Sequence, residues 1–331
     1  MTPSRRTFLL GLAGAACLTA RPGAQASQTG KRLVASDVHV SDYPSVEAVR
    51  WIGQELARAT DGRLSIEAYH SGQLGRELDQ IDMARHGAID ITRVYTGALN
   101  NAFPLTIPLG LPYLFQSKAH LRRIIDGPIG KQVLDGFNAR GLVGLAIFDC
   151  GARSVYSTKG PIVRPADMAG LKLRIPPSDI FLKLMSALGA NPTPLPYGDV
   201  FSALETRLID GAENNVRSFQ SSRQFEIARY WSETEHSFAP DVLLMSGRNF
   251  LALSPDDQAL IRELAARSVQ VFRDRWDAGE AESRRTIESA GVQIQAVDRE
   301  AFVAASAPVL AEYRQHPDLA DMIATIGSEA D

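Results

Sequence analysis

Arg174 stands near the end of Gly170-Leu-Lys-Leu-Arg-Ile-Pro176, a run in which Leu171, Leu173 and Ile175 share one face and Lys172 and Arg174 the other. Such a strand carries Arg174 off the core face and to its carboxyl end, where ligands sit in open α/β sheets. A guanidinium there presents a planar fork of donors that suits a carboxylate; taken alone, an arginine so placed can equally be a solvated surface residue. Arg93 closes another β-prone run, Ala88 to Val94, at the same kind of end. Glu77 opens the helical segment Arg76 to His86. Its carboxylate either stabilises the positive end of that helix dipole or faces a cleft and accepts from ligand hydroxyls. The chemistry these residue types offer is capture of a small anion.

No set of residues for bond-making chemistry accompanies them. The histidines His39, His70, His86, His120, His236 and His316 are scattered, and none forms an H-E-x-x-H pair or stands beside paired cysteines. There is no G-x-S-x-G elbow, no phosphate loop and no dinucleotide glycine fingerprint after a strand. We therefore expect no catalytic residue, no metal site and no cofactor, and a binding protein rather than an enzyme.

The elements that must position these groups alternate strand with helix, which indicates an α/β fold. Ser45 to Thr60 reads as a helix closed by Asp61-Gly62, and Leu64, Ile66 and Ala68 as a strand. Arg76 to His86 reads as a helix ended by Gly87, and Ala88 to Val94 as a buried parallel strand. The alternation returns with strands at Val143 to Phe148 and Leu171 to Ile175 and helices at Asp179 to Leu188 and Val200 to Thr206. Near the end, Ser254-Pro255-Asp256-Asp257 is a strong helix start, and no glycine or proline follows until Gly279. With Ile261, Leu264, Ala265, Phe272 and Trp276 in register, a helix reaching Ser289 would be about 50 Å long and would cross both halves of the molecule. The alternative is two helices broken at Gly279, since an interior glycine weakens a helix by about 1 kcal/mol.

The chain has 331 residues, 45% hydrophobic and 22% charged, enough for two domains at about 100 to 200 residues each. With 7% aromatic residues and a net charge of -3 nothing marks it as a nucleic-acid binder, whose domain would normally be distinctly basic. Residues 1–26 read as an export signal: Arg5 and Arg6 precede a small-residue apolar stretch from Leu9 to Ala20, and Ala24-Gln25-Ala26 offers a cleavage site. The paired arginines fit either a twin-arginine or a general signal. The apolar stretch is shorter than the about 20 residues a spanning helix needs, so no membrane span is expected in the mature protein. Removing the segment leaves 32 basic residues against 38 acidic and a net charge of -6, with Cys150 the lone cysteine. Such a surface does not gather anions through its overall field, so an anionic ligand must be held by local donors.

The chain resembles the solute-binding proteins of tripartite ATP-independent periplasmic (TRAP) transporters across essentially the whole mature sequence. The resemblance rests on Ala59-Thr-Asp-Gly-Arg63, Ser71-Gly-Gln-Leu-Gly75, Gly170 to Arg174, Leu188-Gly-Ala190 and Asp210-Gly-Ala-Glu-Asn214, in that order. It implies a two-domain periplasmic binding protein fold with an interdomain ligand cleft and a long helix spanning both domains. Domain I would comprise residues 27–150 plus 240–279, and domain II 151–239 plus 280–331. It implies that Arg174 clamps the ligand carboxylate while Arg153 and Asn214 complete the polar site. It also implies a periplasmic monomer that hands a small organic acid to membrane subunits of the transporter.

Val38-His-Val-Ser-Asp-Tyr-Pro44, Ile91-Thr-Arg-Val94 and Asp210 to Asn215 are similar to the subgroup that binds sugar acids such as D-glucuronate and D-galacturonate. A hexuronate's hydroxyls would find partners in His39, Glu77 and Asn214. Where similar uronate binders carry an aromatic residue and a proline after the paired asparagines, this chain has Val216-Arg-Ser-Phe219, and Tyr95 and Pro177 stand near the cleft. A C4-dicarboxylate or a 2-oxo acid is the alternative ligand; a dicarboxylate would need a second cation cluster, drawn from Arg93 or Arg217. An exported sugar-acid lyase or isomerase would need Glu77 or His39 as base, and no partner acid is evident for either.

Overall fold

The computed structural model describes residues 30–329; the expected export signal lies outside the described residues. In chain order the strands begin with β1 (Lys31–Ser36), β2 (Leu64–Tyr69), β3 (Ile91–Tyr95), β4 (Leu142–Phe148) and β5 (Arg153–Ser157). They continue with β6 (Lys172–Ile175), β7 (Asn191–Pro194), β8 (Gly211–Asn214), β9 (Tyr230–Ser237), β10 (Asp241–Ser246) and β11 (Gln293–Gln295). They form two sheets, ordered β2-β1-β3-β10-β4 and β11-β9-β5-β8-β6-β7. The fold is α/β, as expected.

In the first sheet β1 pairs in parallel with β2 and β3, while β10 enters antiparallel between β3 and β4. All five residues of β3 are buried, as befits a central strand covered on both faces. The expected helices are present as Pro44–Ala59, Glu77–His86, Asp179–Ala187 and Val200–Glu205. In the second sheet β6 lies parallel to β7 and β8, and β5 antiparallel to β8 and β9.

The chain passes from the first sheet to the second between Phe148 and Arg153 and returns between Ser237 and Asp241. The third crossing is one continuous helix, Pro255–Ser289, of 35 residues, about 52 Å at 1.5 Å per residue. The Ser254 side chain caps it by accepting from the Asp257 amide at 3.2 Å. Ile261, Leu264, Phe272 and Trp276 bury against the first sheet's core with Leu33, Phe148 and Leu243. Ile287 joins a separate core with Tyr156, Phe219 and Trp231 of the second. The helix does not break at Gly279, because Arg217 braces that turn: its Nη1 donates to the Arg275 carbonyl at 2.7 Å. A last helix, Ala320–Ser328, reaches back to the first sheet's side, where His120 Nε2 meets the Ile326 carbonyl at 3.0 Å.

Candidate functional site

Strand ends and a helix start converge where the two sheets face each other. Asp37 and His39 follow β1, β3 ends with Arg93, Val94 and Tyr95, and Glu77 begins the helix Glu77–His86. From the opposite sheet β5 begins with Arg153, β6 carries Arg174 and β8 ends with Asn214. All six residues expected from the sequence, His39, Glu77, Arg93, Arg153, Arg174 and Asn214, line one chamber. This inner space of about 30 Å³ shares Val38, Glu77, Arg174 and Tyr197 with an outer chamber of about 380 Å³, whose wall includes Pro177. A larger cavity, about 470 Å³, lies elsewhere, by Gly151 and Glu280. Its charged residues are already matched, Lys118 with Glu280 at 3.0 Å and Glu233 with Arg284, so we place the site in the two-chambered cleft.

The three buried arginines differ in what holds them. Arg93 Nε donates to Asp37 Oδ2 at 3.1 Å and Nη1 to Glu77 Oε1 at 3.0 Å, with Asp241 Oδ1 at 3.5 Å. Burial opposes the charge on Asp37, but Arg93 and His39 outweigh it and hold the carboxyl far below its usual range. Arg153 Nε and Nη2 grip the two carboxylate oxygens of Glu213 at 2.6 and 2.8 Å. Burial raises the Glu213 carboxyl, and Arg153 and His236 overcome this to bring it down to about 2. Arg174 has only one contact of this kind, from Nε to the Leu195 carbonyl at 2.8 Å. Among the described residues it pairs with no carboxylate, and burial pulls its guanidinium below the ordinary value.

Sequence reading expected Arg153 to join Arg174 on the ligand; the structure brings it into the chamber but already neutralised by Glu213. Arg93 lies in the chamber likewise, with its charge met by acids on three elements. Arg217, considered as a second cation for the ligand, points instead to the long helix, its guanidinium 5.6 Å from the Trp276 ring centre.

Glu77 is placed both at a helix start and on the cleft wall. It stands at the first turn of its helix, and Oε1 accepts from Arg93 and from the Tyr95 amide at 3.1 Å while the residue lines both chambers. Asn214 Oδ1 accepts from the Asn215 amide at 2.9 Å, leaving Nδ2 without a partner among the described residues. The helix-capping role falls to Asn215, whose Oδ1 accepts from Ser218 N at 2.7 Å. The His39 ring stacks on Tyr43 at 3.8 Å, with Nδ1 facing Arg93 Nη2 at 2.5 Å and Nε2 facing Ser218 Oγ at 3.4 Å. Tyr43 in turn shares a 2.8 Å hydrogen bond with Ser218 across the cleft.

Sequence reasoning missed Asp37, Tyr43, Glu213 and Asp241. Asp37 stands two residues before His39 and Glu213 directly precedes Asn214, but nothing in their spacing reveals which arginine each will meet. Cys150 also lines the chamber, where burial and then Asp241 push its thiol up, so it stays protonated. Among the described residues no group of three or more His, Cys, Asp or Glu side chains is placed to hold a metal ion, and no helix is long and apolar enough to cross a membrane.

A cleft between two α/β sheets, closed by buried arginines and spanned by one long helix, can be compared with known proteins. The family described as DctP, bacterial extracellular solute-binding protein, family 7, matches residues 35–316. A solute-binding protein of Chromohalobacter salexigens is 36% identical over 292 residues, covering 88% of this chain and 87% of its own. A TRAP periplasmic solute-binding protein of Bradyrhizobium, in complex with α/β-D-galacturonate, superimposes with a TM-score of 0.88 at 44% identity, covering 90% of this chain and 100% of that one. Another from Chromohalobacter salexigens, with bound D-glucuronate, gives a TM-score of 0.87 at 35% identity, covering 90% and 99%. The chain belongs to the DctP family of extracytoplasmic solute-binding proteins of TRAP transporters.

Proposed function

We propose that this protein captures a hexuronate, D-glucuronate or D-galacturonate, and carries it unchanged, as a periplasmic monomer, to the membrane subunits of a TRAP transporter. The observation that supports this is the single uncompensated guanidinium. Of the three buried arginines in the chamber, only Arg174 lacks a carboxylate partner among the described residues. One such cation calls for one carboxylate. A C4-dicarboxylate would need a second, and Arg93, Arg153 and Arg217 are each committed elsewhere. A simple 2-oxo acid would satisfy Arg174 but bring no hydroxyl for Glu77 or Asn214.

In this reading the two sheets are the cores of two lobes, residues 30–150 with 240–279 and residues 151–239 with 280–319, and the helix Ala320–Ser328 sits with the first. Arg174, Asn214 and Arg153 come from one lobe and His39, Glu77 and Arg93 from the other. A ligand touching both stabilises the closed arrangement, and it drives closure to the extent that it binds that form better than the open one.

The test is a thermal-shift screen of residues 27–331 against hexuronates, aldonates, C4-dicarboxylates and 2-oxo acids. A ligand at a hundredfold excess over its Kd adds about 2.7 kcal/mol to the native state. A shift with glucuronate or galacturonate that Arg174→Ala abolishes, with the ligand recovered unchanged, supports the proposal. A shift with a dicarboxylate alone rejects the ligand, and no shift with any carboxylate rejects the clamp.

A further inference from the structure

Tyr95 closes β3 and lines the inner chamber, and it is only 7% exposed. Its phenolic oxygen has no hydrogen-bond partner among the described residues. The ring is held from three sides. A Cβ on Gly97 would overlap it, the Arg153 guanidinium stands 4.5 Å from its centre, and the Phe181 ring centre lies 6.0 Å away. So packed, the ring holds its hydroxyl away from solvent. A buried hydroxyl in that position has given up its bonds to water without replacement, which destabilises the free protein. Burial also keeps the phenol protonated, so it can act as a donor.

Thr96, the next residue, supplies an internal comparison. Its hydroxyl is equally buried and equally without a partner, but the residue is not part of the chamber wall. A chamber-lining residue with an orphaned hydroxyl and one outside the lining should therefore behave differently when ligand arrives.

We infer that Tyr95 is a specificity residue of the sugar-acid site, its Oη donating to a hydroxyl or ring oxygen of the ligand while Arg174 holds the carboxylate. This rests on the uronate reading above. It assigns the Tyr95 hydroxyl a role realised only in the complex, and so separates what favours binding from what favours the free fold.

The experiment compares wild type, Tyr95→Phe and Thr96→Val by calorimetric titration with D-glucuronate and D-galacturonate and by melting without ligand. Tyr95→Phe should weaken binding about tenfold, equivalent to about 1.4 kcal/mol, while melting at or above the wild-type temperature. Thr96→Val should melt at or above wild type and bind as wild type does. If Tyr95→Phe binds uronate as tightly as wild type, or its free form melts lower because the hydroxyl was satisfied within the protein, the inference is overturned. So it is if Thr96→Val loses as much affinity. A wild type that binds neither uronate overturns the parent reading and this inference with it, whereas a binding wild type beside an unaffected Tyr95→Phe overturns this inference alone.

Discussion

Arg217 lies in the space that a side chain on Gly279 would fill, and from there its Nη1 donates to the Arg275 carbonyl of the long helix at 2.7 Å. The two residues belong to opposite ends of one contact, the arginine following β8 and the glycine in the last third of the spanning helix. Helix propensity alone says that Gly279→Ala should gain about 1 kcal/mol. Because the new methyl would take the place of the guanidinium tip, Arg217 must swing aside and give up its bond to the Arg275 carbonyl, so we expect that gain to be largely cancelled. Denaturant unfolding of Gly279→Ala, Arg217→Ala and the double variant tests this. The double variant should be more stable than the sum of the single effects, and simple additivity would remove the coupling.

Glu213 makes acid stability predictable in sign. A buried carboxyl held at about 2 against an ordinary 4.5 contributes on the order of 3 kcal/mol to the native state at neutral pH. Since the folded value is depressed, that contribution is complete above about pH 4.5 and fades as the pH falls towards 2. Urea unfolding of wild type and Glu213→Gln should show the wild type well ahead at pH 7 and the gap closing below about pH 4. A gap that stays constant with pH would contradict the depressed ionisation.

Arg174 should trade stability against binding. Its charge is buried without an ion partner among the described residues, so Arg174→Met is expected to melt no lower than wild type. The same change should weaken hexuronate binding at least about a hundredfold, since charge-assisted bonds contribute about 1.5 to 3 kcal/mol each. A variant that melts lower and still binds would mean that the guanidinium serves the fold.

The Tyr43 hydroxyl and Ser218 Oγ, 2.8 Å apart, join the two sides of the cleft beside His39. Removing one partner of a buried hydrogen bond leaves the other unsatisfied at a cost of about 1 to 3 kcal/mol. Tyr43→Phe should therefore loosen the closed form, seen as faster ligand release in stopped-flow with little change in the association rate. Slower association with unchanged release would place the contact in the encounter step instead.

Much of the scaffold was legible because its signals are local. Ser254, Pro255 and the acids after them announce the long helix, and clean alternation announces β6 and puts Arg174 at its end. Gly279 left open a break that does not occur, and the residue that contacts it there lies 62 positions earlier in the chain. The convergence of His39, Glu77, Arg93, Arg153, Arg174 and Asn214 on one chamber came from family resemblance laid over strand ends. What stayed hidden is pairing. Whether a buried arginine is free or neutralised depends on an acid brought in by sheet register, as when β5 and β8 pair Val155 with Glu213. No periodicity records that.

The Arg153–Glu213 pair has a consequence for how this binding site could diverge. The chamber contains a second cation, Arg153, whose charge is already balanced by a neighbour on the adjacent strand. A single codon change at Glu213 to a small neutral residue would unmask it and give the chamber a second anionic demand. The charge the chamber demands of a ligand would then be set by a residue whose carboxylate is turned towards another side chain, with Arg174 and Arg153 unchanged.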